Sequence, residues 1–186
     1  MFKLSVRKIA FAAVVAALYA GMTLAVMPIS YGPVQFRISE VLCILPFFFP
    51  FSVWGLFVGC IVANLFSPYL WLDITVGPIA SLLAALCTMY IGQLNSRDRV
   101  LTKAFACFPP VFFNALLIGA MIAYIMIGEG AAESFLQIFI ASCIWVGIGQ
   151  SVILYVFGLS LMIYLPKTKV IDKLKLLIDN NGSKLL

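Results

Sequence analysis

Residues 9–27 read IAFAAVVAALYAGMTLAVM, a run without one charged side chain. At about 1.5 Å per residue, a helix of this length crosses the roughly 30 Å of bilayer hydrocarbon. Its length, and the apolar stretches that follow, argue against a cleaved signal peptide. Working outward, residues 41–66 are apolar but interrupted by Pro46, Pro50 and Ser52, which predicts two short helices, roughly 39–50 and 52–66. Residues 74–93 and 104–127 each predict a further span, and residues 134–165 a sixth, long enough to tilt or overhang. The expected fold is an all-α integral membrane bundle of six transmembrane helices.

Composition agrees. The chain has 186 residues, 64% hydrophobic and 10% charged, with a mean hydropathy of +1.13. A soluble domain is nearer half apolar and a quarter charged, so this much apolar surface must face lipid. There is no histidine, the commonest general base and metal ligand. Cys43, Cys60, Cys87, Cys107 and Cys143 lie in apolar stretches without a C-x-x-C pair and read as small buried hydrophobes. No metal site, cofactor or catalytic residue is predicted.

The net charge of +5 reflects orientation rather than nucleic-acid binding. Lys3, Arg7 and Lys8 precede the first span; Arg97, Arg99 and Lys103 sit between the fourth and fifth. Lys167, Lys169, Lys173, Lys175 and Lys184 follow the sixth. With both termini in the cytoplasm, only Arg37 lies outside. The expected division is a six-helix domain over residues 1–166 and a cytoplasmic tail over 167–186. In that tail Val170, Leu174 and Leu177 recur at helical spacing between lysines, which admits either a helix along the inner membrane surface or a solvated tail.

Polar groups in a membrane span are costly, so their positions carry information. The outer side holds Tyr31, Gln35, Arg37, Glu40, Asn64, Asp73, Glu129 and Glu133. Asn114 and Gln150 fall at mid-depth, where lipid cannot satisfy an amide, and should face the bundle interior. The second and third helices are too short to span upright. The segments 28–39 and 67–73 should therefore dip inward, where irregular backbone must line a cavity or be buried in protein. A polar cavity open to the outside is expected. Other readings stand beside it: Arg37–Glu40 as an ion pair, Asp73 as a helix cap, and Asn114 and Gln150 as interhelical hydrogen bonds. Glu129 and Glu133 read as a solvated loop, and Trp54, Trp71 and Trp145 as interfacial anchors. On the first span Ala12, Ala16 and Ala20 recur every four residues, as do Ala13, Ala17 and Gly21. This spacing suits an internal helix seam or a docking face for another membrane protein.

The stretch PISYGPVQFRISEVLCILPFFFP (28–50) resembles the signature loop and second helix of the QueT family, the substrate-binding (S) components of energy-coupling factor (ECF) transporters. ANLFSPYLWLDITVGPIASLLAAL (63–86), and Asn114 together with GQSVILYVFGL (148–158), are similar to it as well. The resemblance implies a six-helix S-component fold in the cell membrane with both chain ends on the cytoplasmic side. It implies a queuosine precursor as cargo: a 7-deazaguanine such as the 7-aminomethyl compound, or queuine. It implies as partners the transmembrane subunit EcfT and two cytoplasmic ATPases, with Ala12, Ala16 and Ala20 docking on EcfT. Two positions depart from the family pattern: Tyr69 stands where a glycine is expected, and Gln150 where a glutamate is frequent.

On that reading Tyr31, Gln35, Arg37, Glu40, Asn64, Asp73, Asn114 and Gln150 bind the substrate. The absence of a G-x-x-x-x-G-K-[ST] loop assigns ATP hydrolysis to partners. The alternatives are an S component for another vitamin-like molecule and a stand-alone secondary transporter. An intramembrane enzyme is disfavoured because no histidine or paired carboxylates at depth offer a catalytic pair.

Overall fold

The computed structural model describes residues 5–31, 36–94 and 98–178; of Leu70 only the backbone is described. These residues form helices and turns, with no strand among them. Helix α1 (Val6–Ala25) opens on Ser5, whose hydroxyl accepts from the Lys8 amide. A short α2 (Met27–Ser30) with Pro28 in its first turn follows. The chain then passes through a 3-10 segment (Ile38–Ile44) into α3 (Leu45–Phe48). Phe49 precedes Pro50 and takes up an extended φ of −131°, which ends α3.

Helix α4 (Ser52–Asn64) is 13 residues long, about 20 Å at 1.5 Å per residue, and so too short to span the hydrocarbon. Helices α5 (Leu70–Gly92) and α6 (Val100–Gly128) are full-length despite Pro78 in the first and Pro109 and Pro110 in the second. Helix α7 (Phe135–Ser151) starts with a capping box between Ser134 and Gln137. It runs through a π segment (Val152–Gly158) into α8 (Leu159–Tyr164). A 3-10 turn (Leu165–Thr168) ends at Lys169, φ 58°, and α9 (Val170–Ile178) follows.

Among the described residues, four helical stretches are long and apolar enough to cross a membrane: Val6–Ala25, Trp71–Gly92, Val100–Gly128 and Phe135–Thr168. Their large side chains point outward in number, among them Trp71, Phe105, Tyr124 and Ile144, as expected where lipid replaces water outside the bundle. The chain is a multi-pass membrane protein. Its interior is built from Tyr19, Leu56, Cys60, Cys107, Leu154 and Met162.

The α1–α4 seam depends on glycine. A Cβ at Gly59 would lie 2.8 Å from the Ala16 carbonyl oxygen and 2.9 Å from its Cα, and one at Gly55 would strike the Ala12 carbonyl. Ala12 and Ala16 remain partly exposed at the edge of this seam, whereas Ala20 is buried inside the chain. A shallow apolar groove of about 260 Å³ runs beside it, lined by Ala12, Ala13, Ala16, Phe51 and Gly55 among others.

At the end carrying both described chain ends, α9 packs Ile171 and Ile178 against Phe49 and Phe51, and Arg7 donates to the Leu177 carbonyl at 3.0 Å. The buried stripe of α9 is therefore Ile171, Leu174 and Ile178. Val170 and Leu177, which recur with Leu174 at helical spacing, are exposed and point away from this packed face.

Candidate functional site

The site lies at the opposite end and is built from two turns of irregular backbone. Arg37 precedes the 3-10 segment. Its Nη2 lies 3.5 Å from Asp73 Oδ1, its Nε donates to the Ser30 carbonyl at 3.4 Å, and its guanidinium sits 5.2 Å from the centre of the Tyr31 ring. Asp73, in the first turn of α5, also accepts from the Ser67 hydroxyl. Asn64, at the end of α4, donates to the Asp73 backbone carbonyl at 2.7 Å. A Cβ at position 77 would collide with the Asn64 amide, so Gly77 makes the room for it. Tyr31 donates to the Ala63 carbonyl at 2.6 Å, and its half-burial pushes the phenol up to about 12, so it acts as a neutral donor. These bonds tie the segment around 30–37 to that around 63–73.

The second half of the site centres on Glu40. It accepts from the Tyr19 hydroxyl at 2.5 Å, from Cys43 Sγ at 3.1 Å and from Asn114 Nδ2 at 3.2 Å. Tyr19 comes from α1 and Asn114 from α6, so Glu40 holds three elements together. Next to it, Thr23 and Ser39 share a hydrogen bond of 2.7 Å. Gln150, near the end of α7, is 3% exposed, and its Oε1 has no hydrogen-bond partner. Arg37, Glu40, Asn114 and Gln150, with Ile118 and Val146, line one cavity of about 10 Å³, room for roughly one water.

Two further polar atoms in the site region, beside Gln150 Oε1, matter for recognition. Asn64 Oδ1 and Asp73 Oδ1 are buried without a hydrogen-bond donor, as is Gln150 Oε1. Asp73 Oδ1 has only the 3.5 Å ion-pair contact to Arg37. Buried acceptors left without donors are expensive, and native structures hold few of them.

Tyr31, Arg37, Asn64 and Asp73 thus form one half of the cluster, and Glu40, Asn114 and Gln150 the other. Gln35 lies outside the described residues. Arg37 takes Asp73 rather than Glu40 as its ion-pair partner, because the chain between them turns the two side chains toward different helices. Asp73 binds Ser67 and Arg37 instead of capping its own helix. Trp54, Trp71 and Trp145 point away from the site and are more than half exposed. Tyr69 donates to Glu129 at 3.1 Å on the exposed surface. Sequence reasoning missed Tyr19, Thr23, Ser39 and Ser67. The one available signal was a phenol and a threonine one turn apart inside an alanine-rich span. No cluster of His, Cys, Asp and Glu among the described residues is arranged to hold a metal.

A multi-pass helical membrane protein that gathers Arg37, Glu40, Asp73 and its buried amides at one end, between irregular segments, has the architecture of a membrane transport protein. More narrowly, the chain belongs to the QueT transporter family, whose model matches residues 9–167. That is a family of transporters and not of enzymes. The chain is similar to the queuosine precursor transporter QueT of Lactococcus lactis subsp. cremoris (strain MG1363), with 40% identity over 72 residues. That stretch covers 38% of this chain and 42% of the relative, so the match spans less than half the relative's length. No solved structure gives a significant match.

Proposed function

We propose that the chain is the substrate-binding S component of an ATP-driven ECF importer in the cell membrane, and that it captures a queuosine precursor from outside. The single observation that carries this reading is the set of acceptors facing the Arg37–Glu40 site. Glu40, Asp73 Oδ1, Asn64 Oδ1 and Gln150 Oε1 offer more acceptor capacity than their neighbours use. A 7-deazaguanine presents N–H donors along its ring edge and one carbonyl. The acceptors would take the donors, Arg37 would donate to the carbonyl, and Tyr31 would cover a ring face. The 10 Å³ cavity cannot hold such a ring. Binding must therefore separate the two halves of the cluster, exchanging protein–protein hydrogen bonds for protein–ligand ones.

On this reading six segments cross the membrane: α1, α5, α6, α7 continued by α8, and two short ones, the 3-10 segment with α3 and then α4, each completed by the irregular backbone beside it. Residues 1–166 form the bundle and 167–186 the tail, with both chain ends in the cytoplasm. The apolar groove beside Ala12, Ala13 and Ala16 is the surface offered to EcfT. Ala20, buried within the chain, would support that surface from beneath. Two cytoplasmic ATPases supply the hydrolysis for which this sequence has no phosphate loop.

The test is calorimetric titration of the purified chain in detergent with queuine, 7-aminomethyl-7-deazaguanine and guanine, using wild type and Gln150→Glu. Tight binding of one 7-deazaguanine over guanine is expected, and Gln150→Glu should shift preference toward the ammonium-bearing compound. Folded protein that binds none of them would remove the cargo assignment. Uptake that persists without the ATPases would instead support a stand-alone transporter.

A further inference from the structure

A second cavity, partly open to the surface, lies at the far end of the bundle, independent of the transport site. It measures about 120 Å³ and is lined by Asp98, Lys103, Asp172 and Lys175, with Phe47 and Ile171 among its apolar walls. Lys103 is in the first turn of α6 and is only 8% exposed. Neither the Lys103 nor the Lys175 side chain has a hydrogen bond or ion pair among the described residues. The stem of Lys103 is buried while its ammonium opens onto this space, where a ligand rather than the protein can pair it. The two carboxylates border the same space but do not close on the lysines.

The charge pattern restricts the ligand. Two ammonium groups and two carboxylates cancel overall, so a lone anion would meet Asp98 and Asp172, and a lone cation would meet the lysines. A zwitterion satisfies both pairs. A phosphate would accept from Lys103 and Lys175, while a primary ammonium bound to it through a short linker would donate N–H groups to Asp98 and Asp172. A quaternary ammonium has no N–H and cannot make the second set of bonds. The location selects the source. Helix α9 lies across the bundle end where lysines concentrate, with an apolar stripe on one face and charges on the other, the pattern of a helix at headgroup level.

We propose that this cavity binds a phosphoethanolamine group, supplied as the headgroup of a membrane phospholipid, and that the bound lipid clamps α9 onto α3 and α6. A ligand that binds only the folded state raises the unfolding temperature. The full chain in detergent micelles is therefore melted with added phosphatidylethanolamine, phosphatidylcholine, phosphatidylglycerol or free phosphoethanolamine. Phosphatidylethanolamine should raise the unfolding temperature by several degrees, and the other two lipids by much less. Lys103→Gln and Asp172→Asn should each lose most of that rise, and Lys173→Gln, on α9 but outside the lining, should keep it. Equal effects of all three lipids would overturn the proposal. An equal shift with the free compound would overturn the lipid source and assign the cavity to a soluble molecule. Native mass spectrometry of the unmutated chain gives a reading that needs no variant: preferential retention of phosphatidylethanolamine is expected, and its absence would count against the site.

Discussion

The two ends of this molecule treat charge in opposite ways. At the Arg37 end, Arg37, Glu40 and Asp73 are all at least 96% buried, and each is held by side chains from other elements. At the α9 end, Asp172 and Lys173 are exposed on a helix fixed by Ile171 and Ile178 against Phe49 and Phe51, and of the described charges there only Lys103 is buried. At one end, then, packing supports charge; at the other, packing does the fixing and most charges stay in water. Buried charge costs several kcal/mol per ion unless it is paired, so the Arg37 end is where function is to be sought. Exposed lysines outside the α9 cavity, such as Lys169 and Lys173, orient the chain in the bilayer.

The largest effect is expected from removing one member of the buried pair. Arg37→Ala or Asp73→Ala should cost about 3–5 kcal/mol in detergent unfolding. The double variant Arg37→Met with Asp73→Leu should recover much of that loss while abolishing ligand binding. If the single variants melt like wild type, the contrast between the ends is wrong.

Next comes Glu40→Gln, which keeps the shape but removes the charge that Tyr19 and Asn114 address. Charge-assisted hydrogen bonds contribute about 1.5–3 kcal/mol. Ligand affinity by calorimetry should therefore fall on the order of 10- to 100-fold, with the helical content seen by circular dichroism unchanged. An unaltered affinity would move the recognition site away from Glu40.

Gly59→Leu probes packing rather than charge. Its side chain would enter the Ala16 backbone across the α1–α4 seam, and overpacking of this kind costs about 1–3 kcal/mol. The unfolding midpoint should drop, and copurification with EcfT should fall with it. The smallest effect belongs to the α9 end: Lys173→Gln, exposed on that helix, should change stability by less than about 0.5 kcal/mol.

Much of the bundle was readable in advance. The runs 104–127 and 134–165 became Val100–Gly128 and the continuous stretch from Phe135 to Tyr164, because uninterrupted apolar length leaves a membrane segment little choice but helix. The start of α5 was placed too late, at 74 rather than Leu70. Asp73 looked like a residue outside the membrane, and only its Arg37 and Ser67 partners allow it inside. The π segment at Val152–Gly158 had no signal in its residues. At its end Gly158 lets the backbone approach Ile44, where a Cβ would lie 3.1 Å from the Ile44 side chain.

The sequence by itself determined that this is a helical membrane protein, where its long helices run, and which polar residues stand out of place in apolar surroundings. Those conclusions need only local hydropathy, helix length and charge counts, quantities that do not depend on what lies across the bundle. Tertiary structure alone decided that Arg37 pairs with Asp73 rather than Glu40, that Tyr19 and Asn114 share Glu40, and that Ile171 rather than Val170 faces the core. A side chain's partner depends on helix rotation and on the path of irregular backbone, and both are set by packing between segments far apart in the chain.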